Sequence, residues 1–332
     1  MRILVTGGAG YIGSVTCEML LDRGHQVAVI DDLSRGHAAA VPAGATLHVA
    51  SILDVPRLEE ILDHERPEGV LHFAASSQVG ESMRDPGLYF RNNVGGIMSV
   101  LDACVRVGCN RVLLSSSAAT YGDPDTIPIP EGAPTVPTNP YGESKRIGEQ
   151  ILEWYRRIHG VRYGSLRYFN AAGASPSRGE DHTPETHLIP LALAAAAGTG
   201  QTLHVFGTDY PTPDGTCVRD YVHVLDLADA HILALEKLTQ QDGMILNLGS
   251  STGFSVLEVV RTIEKVTAMR VPWEAAPRRP GDPPRLVASH ERARAVLGWS
   301  PRHASLESIV ASAWRWMEGH PEGYGRQSHR AQ

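Results

Sequence analysis

Tyr141-Gly142-Glu143-Ser144-Lys145 sets a phenol and an amine four residues apart. At the start of a helix that spacing stacks both side chains on one face. Such a pair can move a proton. A free tyrosine has a pKa near ~10, and bringing it near ~7 takes roughly 4 kcal/mol. A lysine cation about 5 Å away supplies roughly 3 kcal/mol at an effective dielectric of about 20. The magnitudes suit a tyrosine general base. An isolated YxxxK is more often an ordinary surface helix, so its context matters. Ser115-Ser116-Ser117 closes the apolar run that precedes it. Ser117 there can hydrogen-bond the same substrate hydroxyl as Tyr141, and a capping or turn role would explain it as well.

Thr6-Gly7-Gly8-Ala9-Gly10-Tyr11-Ile12-Gly13 places glycines at 7, 10 and 13 between an apolar run and a helical pattern. That arrangement gives a tight turn, lets a pyrophosphate approach the backbone, and aims a helix N-terminus at its charge. A glycine-rich turn can serve packing alone. Here Asp31 stands 18 residues past Gly13, at the end of the next apolar run, where a carboxylate accepts from adenosine ribose hydroxyls. Asp32 beside it repels a 2′-phosphate, and the single Arg35 does not outweigh two carboxylates. NAD is therefore expected over NADP, although a helix cap or turn remains the alternative for the acidic pair. The positive nicotinamide ring would join Lys145 in lowering the Tyr141 pKa.

These groups need elements to hold them. Strands are predicted at 2–5, 27–30, 46–49, 69–73, 111–115 and 161–168, with helices at 55–64, 92–107 and 141–159 between them. Short apolar strands alternating with helices imply βαβ units and a parallel sheet covered on both faces. The fold class is thus α/β, a Rossmann-type doubly wound sheet with a smaller C-terminal α/β substrate lobe. Residues 1–170 are the expected NAD-binding domain, with a segment near 218–250 returning to it. Residues 171–332 mainly form the lobe, with helices at 187–197, 225–238, 255–267 and 304–317 and a frayed tail from about 319.

Composition narrows the function classes. Of 332 residues, 42% are hydrophobic and 20% charged, which suits a soluble globular protein. A net charge of −7 argues against a nucleic-acid partner. Arg278-Arg279 is a local exception, enough to hold a diphosphate but not DNA. The four cysteines form no CxxC pair and read as reduced cytosolic thiols, and the fifteen histidines show no HExxH, so no metal is expected. There is no apolar run long enough to span a membrane and no signal peptide at the start, so a cytoplasmic location is expected.

The glycine turn, the serine strand end and YxxxK together resemble the extended short-chain dehydrogenase/reductases. Further segments are similar to the UDP-glucose 4-epimerases (UDP-galactose 4-epimerases). They include Asp31-Asp32-Leu33-Ser34, His72-Phe73-Ala74-Ala75, Val79-Gly80-Glu81-Ser82, Tyr168-Phe169-Asn170, and the stretch from Phe206-Gly207-Thr208-Asp209-Tyr210 to Val218-Arg219-Asp220-Tyr221-Val222-His223. The resemblance covers roughly residues 2–317. It implies catalysis by Tyr141, Lys145 and Ser117. It implies NAD held by Gly7, Gly10, Tyr11, Ile12, Gly13, Asp31, Asp32, Leu33, Ser51, Ile52, Phe73, Ala74, Ala75, Asn92, Ser115, Tyr141, Lys145 and Tyr168. A UDP-sugar would meet Ser117, Tyr141, Asn170, Leu188, Phe206, Arg219, Arg279 and Asp282, and two copies of the chain would pair through two helices of the sheet domain. In the implied reaction the 4-hydroxyl proton goes to Tyr141 and the C4 hydride to NAD. The 4-keto sugar turns over, and the hydride returns to its other face.

Three positions depart from the family pattern. Ser51-Ile52 replaces Asp-Ile at the adenine, Ser77 replaces a lysine near the cofactor, and Leu286 stands where a tyrosine can exclude N-acetylated sugars. A 4,6-dehydratase is disfavoured because Ser117 is followed by Ala118-Ala119-Thr120 rather than an acid pair. Epimerases of uronate or pentose nucleotides stay open. A non-catalytic NAD sensor would be expected to have lost the Tyr-Lys pair.

Overall fold

The computed structural model of the chain describes residues 1–279 and 282–325. Seven strands, β1 (Arg2–Thr6), β2 (Gln26–Asp31), β3 (Thr46–Val49), β4 (Gly69–His72), β5 (Arg111–Ser115), β6 (Arg162–Tyr168) and β7 (Gly243–Leu248), form one sheet in the order β7-β6-β5-β4-β1-β2-β3. Every pairing in it is parallel. This is the doubly wound sheet that the sequence predicts. The strand order reverses between β1 and β4, so a crevice opens there beyond the strand ends.

Along β1, Ile3 and Val5 face one apolar layer with Leu20 and Leu235, and Leu4 faces the opposite layer with Ile97 and Leu101. Burial on both faces is why these strands read as unbroken apolar runs. Helices α1 (Tyr11–Asp22), α2 (Val55–Glu65), α3 (Gly96–Val107) and α4 (Pro140–His159) fill the crossovers. Beyond them come α5 (Leu188–Ala196), α6 (Val224–Lys237), α7 (Val256–Thr267), α8 (Glu291–Leu297) and α9 (Leu306–Gly319). Helix α6 packs Val224 and Ala228 against Tyr11 and Val15 of α1, and β7 extends the sheet beside β6. A separate core of Ile189, Leu193, Val205, Val259, Ile263 and Ile309 forms the second lobe.

Two differences from the sequence reading have physical causes. The helix expected over 92–107 starts at Gly96, because Phe90–Gly95 winds as a wider π-helical turn. That turn buries Asn93, whose amide bonds both backbone groups of Ser76 and the Ser144 hydroxyl. Fraying from 319 is not seen as far as Gly325. The Tyr324 ring lies 5.4 Å from the ring of Trp316, and its hydroxyl accepts from the Gly179 amide. The rest of the expected tail, residues 326–332, lies outside the described residues.

Candidate active site

The glycine turn between β1 and α1 is shaped by contacts that only glycine tolerates. Gly7 has φ +74°, and a Cβ there would sit 2.5 Å from the Ala74 nitrogen. A Cβ on Gly13 would lie 2.2 Å from the Gly7 carbonyl oxygen. Gly10 is different: a Cβ there would meet only that oxygen, at 3.3 Å. It is the N-cap of α1, and no side chain caps this helix. Uncapped amides beside an open glycine fit the pyrophosphate of a dinucleotide.

Asp31 grips this turn. Its carboxylate accepts from the Ala9 amide at 2.9 Å and the Leu33 amide at 2.9 Å, with Leu33 at φ +58°. Burial raises the Asp31 pKa, against those hydrogen bonds. Asp32 folds a local turn onto the Ser34 amide and hydroxyl. Arg35 stands away from both aspartates, on Glu81 and the Thr183 carbonyl. Arg35 is therefore not positioned to offset their charge.

Nearby, Phe73 and Ala74 close the β4 end onto the Thr6 carbonyl. Ile52 is buried, and its neighbour Ser51 accepts from the Leu53 amide. Ile12 packs on the core, the Asn92 amide reaches the Ser76 hydroxyl, and Ser77 is exposed. The Tyr11 hydroxyl is already bonded to the Gly173 carbonyl, at 2.5 Å.

Helix α4 carries Tyr141 and Lys145, and its sequence defines both of its ends. Asn139 caps it on the Gly142 amide, Pro140 and Glu143 occupy the first turn, and Gly160 ends it at φ +69°. The Lys145 Nζ donates to the Ser115 carbonyl at 2.8 Å and lies 5.9 Å from the centre of the Tyr141 ring. Burial pushes the Lys145 pKa down to about 8, while the Glu149 charge raises it by less. Burial also raises the Tyr141 pKa, and a hydrogen bond from Ser117 pulls it down by less. The expected lowering of the tyrosine by Lys145 is thus not the dominant effect in the protein alone. The amine gives one N–H to a backbone carbonyl, and the phenol is desolvated. Ser117 caps the short turn Ala118–Thr120, accepting from the Ala119 amide at 3.1 Å. Its own O–H is the donor that faces the Tyr141 phenol. The Ser115 hydroxyl meets that of Tyr168 at 2.5 Å, and neither was expected to engage the other.

Beneath this pair lies an ion pair that sequence reading missed. Glu149, one turn beyond Lys145, accepts from the Ser116 hydroxyl (2.7 Å), the Ser165 hydroxyl (2.9 Å), and Arg167 at Nε (2.9 Å) and Nη2 (2.5 Å). Both side chains are only 5% exposed. The Arg167 guanidinium lies 4.8 Å over the Tyr121 ring, whose hydroxyl donates to Asn247 of β7. The signals were a glutamate at i+4 from Lys145 and an arginine between Leu166 and Tyr168 in a buried strand.

The structure pairs several of the expected substrate residues with one another. Arg219 pairs with Asp282, the Arg279 guanidinium lies 4.2 Å over the Phe206 ring, and Leu188 opens α5. Asn170 donates to the Asp220 carbonyl at 2.8 Å. Asp220, fully buried, holds the amides of Ser250 and Ala288 at 2.7 and 3.0 Å and so fixes the loops around Arg219. Arg278 is turned elsewhere, onto Asp209 and the Tyr210 ring.

Comparison with known proteins shows the family and the fold. Residues 3–249 match the family described as NAD dependent epimerase/dehydratase. The chain is 50% identical over 328 residues to the UDP-glucose 4-epimerase of Lacticaseibacillus casei, covering 98% of this chain and 99% of that one. It is similar to the crystal structure of UDP-glucose 4-epimerase from Brucella ovis in complex with NAD, with a TM-score of 0.92 and 48% identity over 94% of this chain and 97% of that one. The Bifidobacterium longum UDP-glucose 4-epimerase in complex with NAD+ and UDP gives a TM-score of 0.93 at 34% identity, covering 97% of this chain and 100% of that one.

The buried pair under α4 carries a testable consequence. Glu149→Leu leaves Arg167 buried without a counter-charge and is expected to lower the unfolding free energy by about 3–5 kcal/mol. Adding Arg167→Met to it removes the stranded charge and should restore most of that loss. Urea denaturation of the wild type and both variants measures it. A single variant as stable as the wild type would show that the pair does not hold α4.

Proposed function

The chain belongs to the NAD dependent epimerase/dehydratase family, and we propose that it is an NAD-dependent isomerase that interconverts UDP-galactose and UDP-glucose at C4. The observation that carries the proposal is the convergence of the Ser117 hydroxyl, the Tyr141 phenol and the Lys145 ammonium beside an uncapped glycine cradle. NAD, held by the glycine turn and the acid after β2, would supply a reversible hydride acceptor for C4 of the sugar, so that no net oxidation would result.

The chain's own residues do the rest. Ser117 donates to the sugar 4-oxygen, because its Oγ already accepts from the Ala119 amide. Tyr141, as its phenolate beside the Lys145 charge, takes the 4-hydroxyl proton at its phenolic oxygen and, as the phenol, later returns it. Lys145, with one N–H on the Ser115 carbonyl, keeps two for the nicotinamide ribose and places its charge beside the phenol. Arg219 and Arg279 grip the diphosphate, since guanidinium forks bind phosphate oxygens in pairs. Phe206 faces the uracil, Asp282 and Asn170 accept or donate around the nucleotide, and Leu188 closes that side. Anchoring the nucleotide alone leaves the 4-keto ring free to turn over. Gly7, Gly10 and Gly13 with Tyr11 and Ile12 cradle NAD. Asp31, Asp32 and Leu33 lie at its adenosine ribose, Ser51 and Ile52 at the adenine, and Phe73, Ala74, Ala75, Asn92, Ser115 and Tyr168 along the remainder. Residues 1–170, with 218–250, would be the cofactor-binding unit, and the remainder up to Gly325 the substrate lobe.

Leu286 bears on the sugar range. It packs against the cluster of Ala118, Tyr121 and Ile129 and pairs in register with Arg219, which supports a position between Ser117 and the proposed diphosphate arginine. A leucine leaves room that a tyrosine would fill, and UDP-N-acetylglucosamine is a second substrate on this reading. A homodimer that pairs across α3 and α4 is supported by Trp154 and Ile158, which are 59% and 68% exposed, and by Met98 and Val105, which stand out from α3. Single large apolar residues on a surface are ordinary, but a stripe shared by two adjacent helices is an interface candidate. No helix among the described residues is long and apolar enough to cross a membrane. The cysteines are all unpaired and buried, as a reducing cytoplasm would keep them.

Three outcomes are expected. Purified protein should convert UDP-galactose to UDP-glucose, and Tyr141→Phe should lower kcat by about 10²–10⁴-fold while UDP binding persists. Activity on neither hexose nucleotide would redirect the assignment to uronate or pentose nucleotides, and an unaffected rate in the phenylalanine variant would remove the tyrosine from the mechanism. UDP-N-acetylglucosamine should turn over in the wild type and fail in Leu286→Tyr, with UDP-galactose still converted; failure in both proteins would take Leu286 out of the specificity argument. Sedimentation velocity should find a dimer that Trp154→Glu splits, and an intact dimer in that variant would place the interface elsewhere.

A further inference from the structure

Beyond the reacting groups, residues 179–187 cross the mouth of the crevice as a strap. The Asp181 carbonyl is held by the His37 imidazole at 2.9 Å, the Thr183 carbonyl by Arg35 at 3.1 Å, and the Pro184 carbonyl by Gln78 at 3.4 Å. Arg35 and His37 follow β2, whereas Gln78 follows β4, so the strap ties down on both sides of the glycine turn. Tyr11, at the start of α1, meets the His182 ring edge-on at 6.3 Å.

The strap reads Glu180-x-His182-x-x-Glu185-x-His187. All four side chains turn to one point, and one donor atom from each lies within 4.8 Å of the others. The His187 Nδ1 is 2.7 Å from the Glu180 carboxylate and 2.8 Å from that of Glu185. The His182 Nδ1 is 3.1 Å from Glu180 and 3.9 Å from Glu185. The two rings stand 5.3 Å apart. Ligands on a tetrahedral Zn²⁺, bound at about 2.0–2.2 Å, lie roughly 3.3–3.5 Å from one another. The observed separations fall on both sides of that value, so a small movement of side chains closes the set. We propose that Glu180, His182, Glu185 and His187 form a site for a divalent cation of the zinc class, clamping the strap over the crevice.

The donor chemistry selects the ion. Two imidazole nitrogens and two carboxylate oxygens suit Zn²⁺ or Co²⁺, whereas Mg²⁺ and Ca²⁺ prefer oxygen alone. The two carboxylates carry two negative charges, which a dication balances. The Glu180 side chain is 9% exposed and that of His187 is 44%, so the site has a buried wall and an open side for the ion to enter. Among the described residues no other group of three or more such side chains converges in this way. The test of the site does not use turnover, so its failure is distinguishable from failure of the proposed sugar chemistry.

Calorimetric titration of chelator-treated protein with ZnCl₂ should give one site per chain, with MgCl₂ giving no heat. Co²⁺ should bring the intense visible bands of four-coordinate geometry, and Zn²⁺ should raise the melting temperature reversibly with EDTA. His182→Ala and Glu185→Ala should each weaken Zn²⁺ about tenfold or more. His182→Gln and Glu185→Gln, which keep polar side chains in the strap, cover a loss of folding in the alanine variants. Absence of Zn²⁺ binding to the wild type overturns the proposal. So does equal affinity in the folded variants, which would put the ion on others of the fifteen histidines.

Discussion

The buried pair between Glu149 and Arg167 is the constraint on which the reacting geometry rests. Lys145 and Glu149 share one face of α4, so whatever fixes the glutamate fixes the amine one turn before it. Glu149 is bound to hydroxyls at the end of β5 and in β6 as well as to the guanidinium, which draws two strands and a helix to one carboxylate. Two buried charges are a poor device for stability alone, because desolvation consumes most of their attraction. They do impose one register. Sliding α4 by a residue would break four hydrogen bonds to charged groups at once, whereas an apolar contact would merely repack.

That register permits a second unfavourable burial. Lys145 has a folded pKa of about 8 against an ordinary 10.5, so the unfolded chain holds the extra proton between those values. The penalty for burying the cation is therefore present in full below pH 8 and is relieved as pH rises toward 10.5. It amounts to about 3 kcal/mol at neutral pH. Glu149 limits it, since its charge is what opposes the desolvation of the amine. The phenol is desolvated beside it. A site that keeps both groups dry strengthens their mutual field, and a structure built only for stability would have placed neither there.

Much of this was legible in the residues. The glycine turn, the acid after β2 and the alternation of short apolar strands with helices led to the sheet, because each has a local cause: a positive φ, a carboxylate on backbone amides, burial on two faces. What stayed hidden depends on residues far apart in sequence. Glu149 and Arg167 look like unrelated charges until α4 lies across β6. Glu180, His182, Glu185 and His187 look scattered until the strap folds back on itself. Tyr324 looks like part of a tail until its ring reaches Trp316. The π-helical turn at Phe90–Gly95 is invisible to a 3.6-residue period, since its purpose is to turn Asn93 inward toward Ser76 and Ser144.

The two lobes also divide the demands of the proposed reaction. Tyr141, Ser117 and Lys145 stand on a helix and strand ends whose backbone is bonded on several sides, so their spacing is rigid. Arg219 and Arg279 sit on short strands and loops, held by Asp282 and by the Phe206 ring. An arginine already oriented by a carboxylate or a ring loses little freedom when it takes a phosphate, so more of the contact energy is kept for binding. A sugar that must present first one face and then the other needs a fixed chemical group at one end and a fixed diphosphate at the other, with nothing rigid between. The separation of a hydrogen-bonded catalytic end from an ion-paired anchoring end meets both requirements.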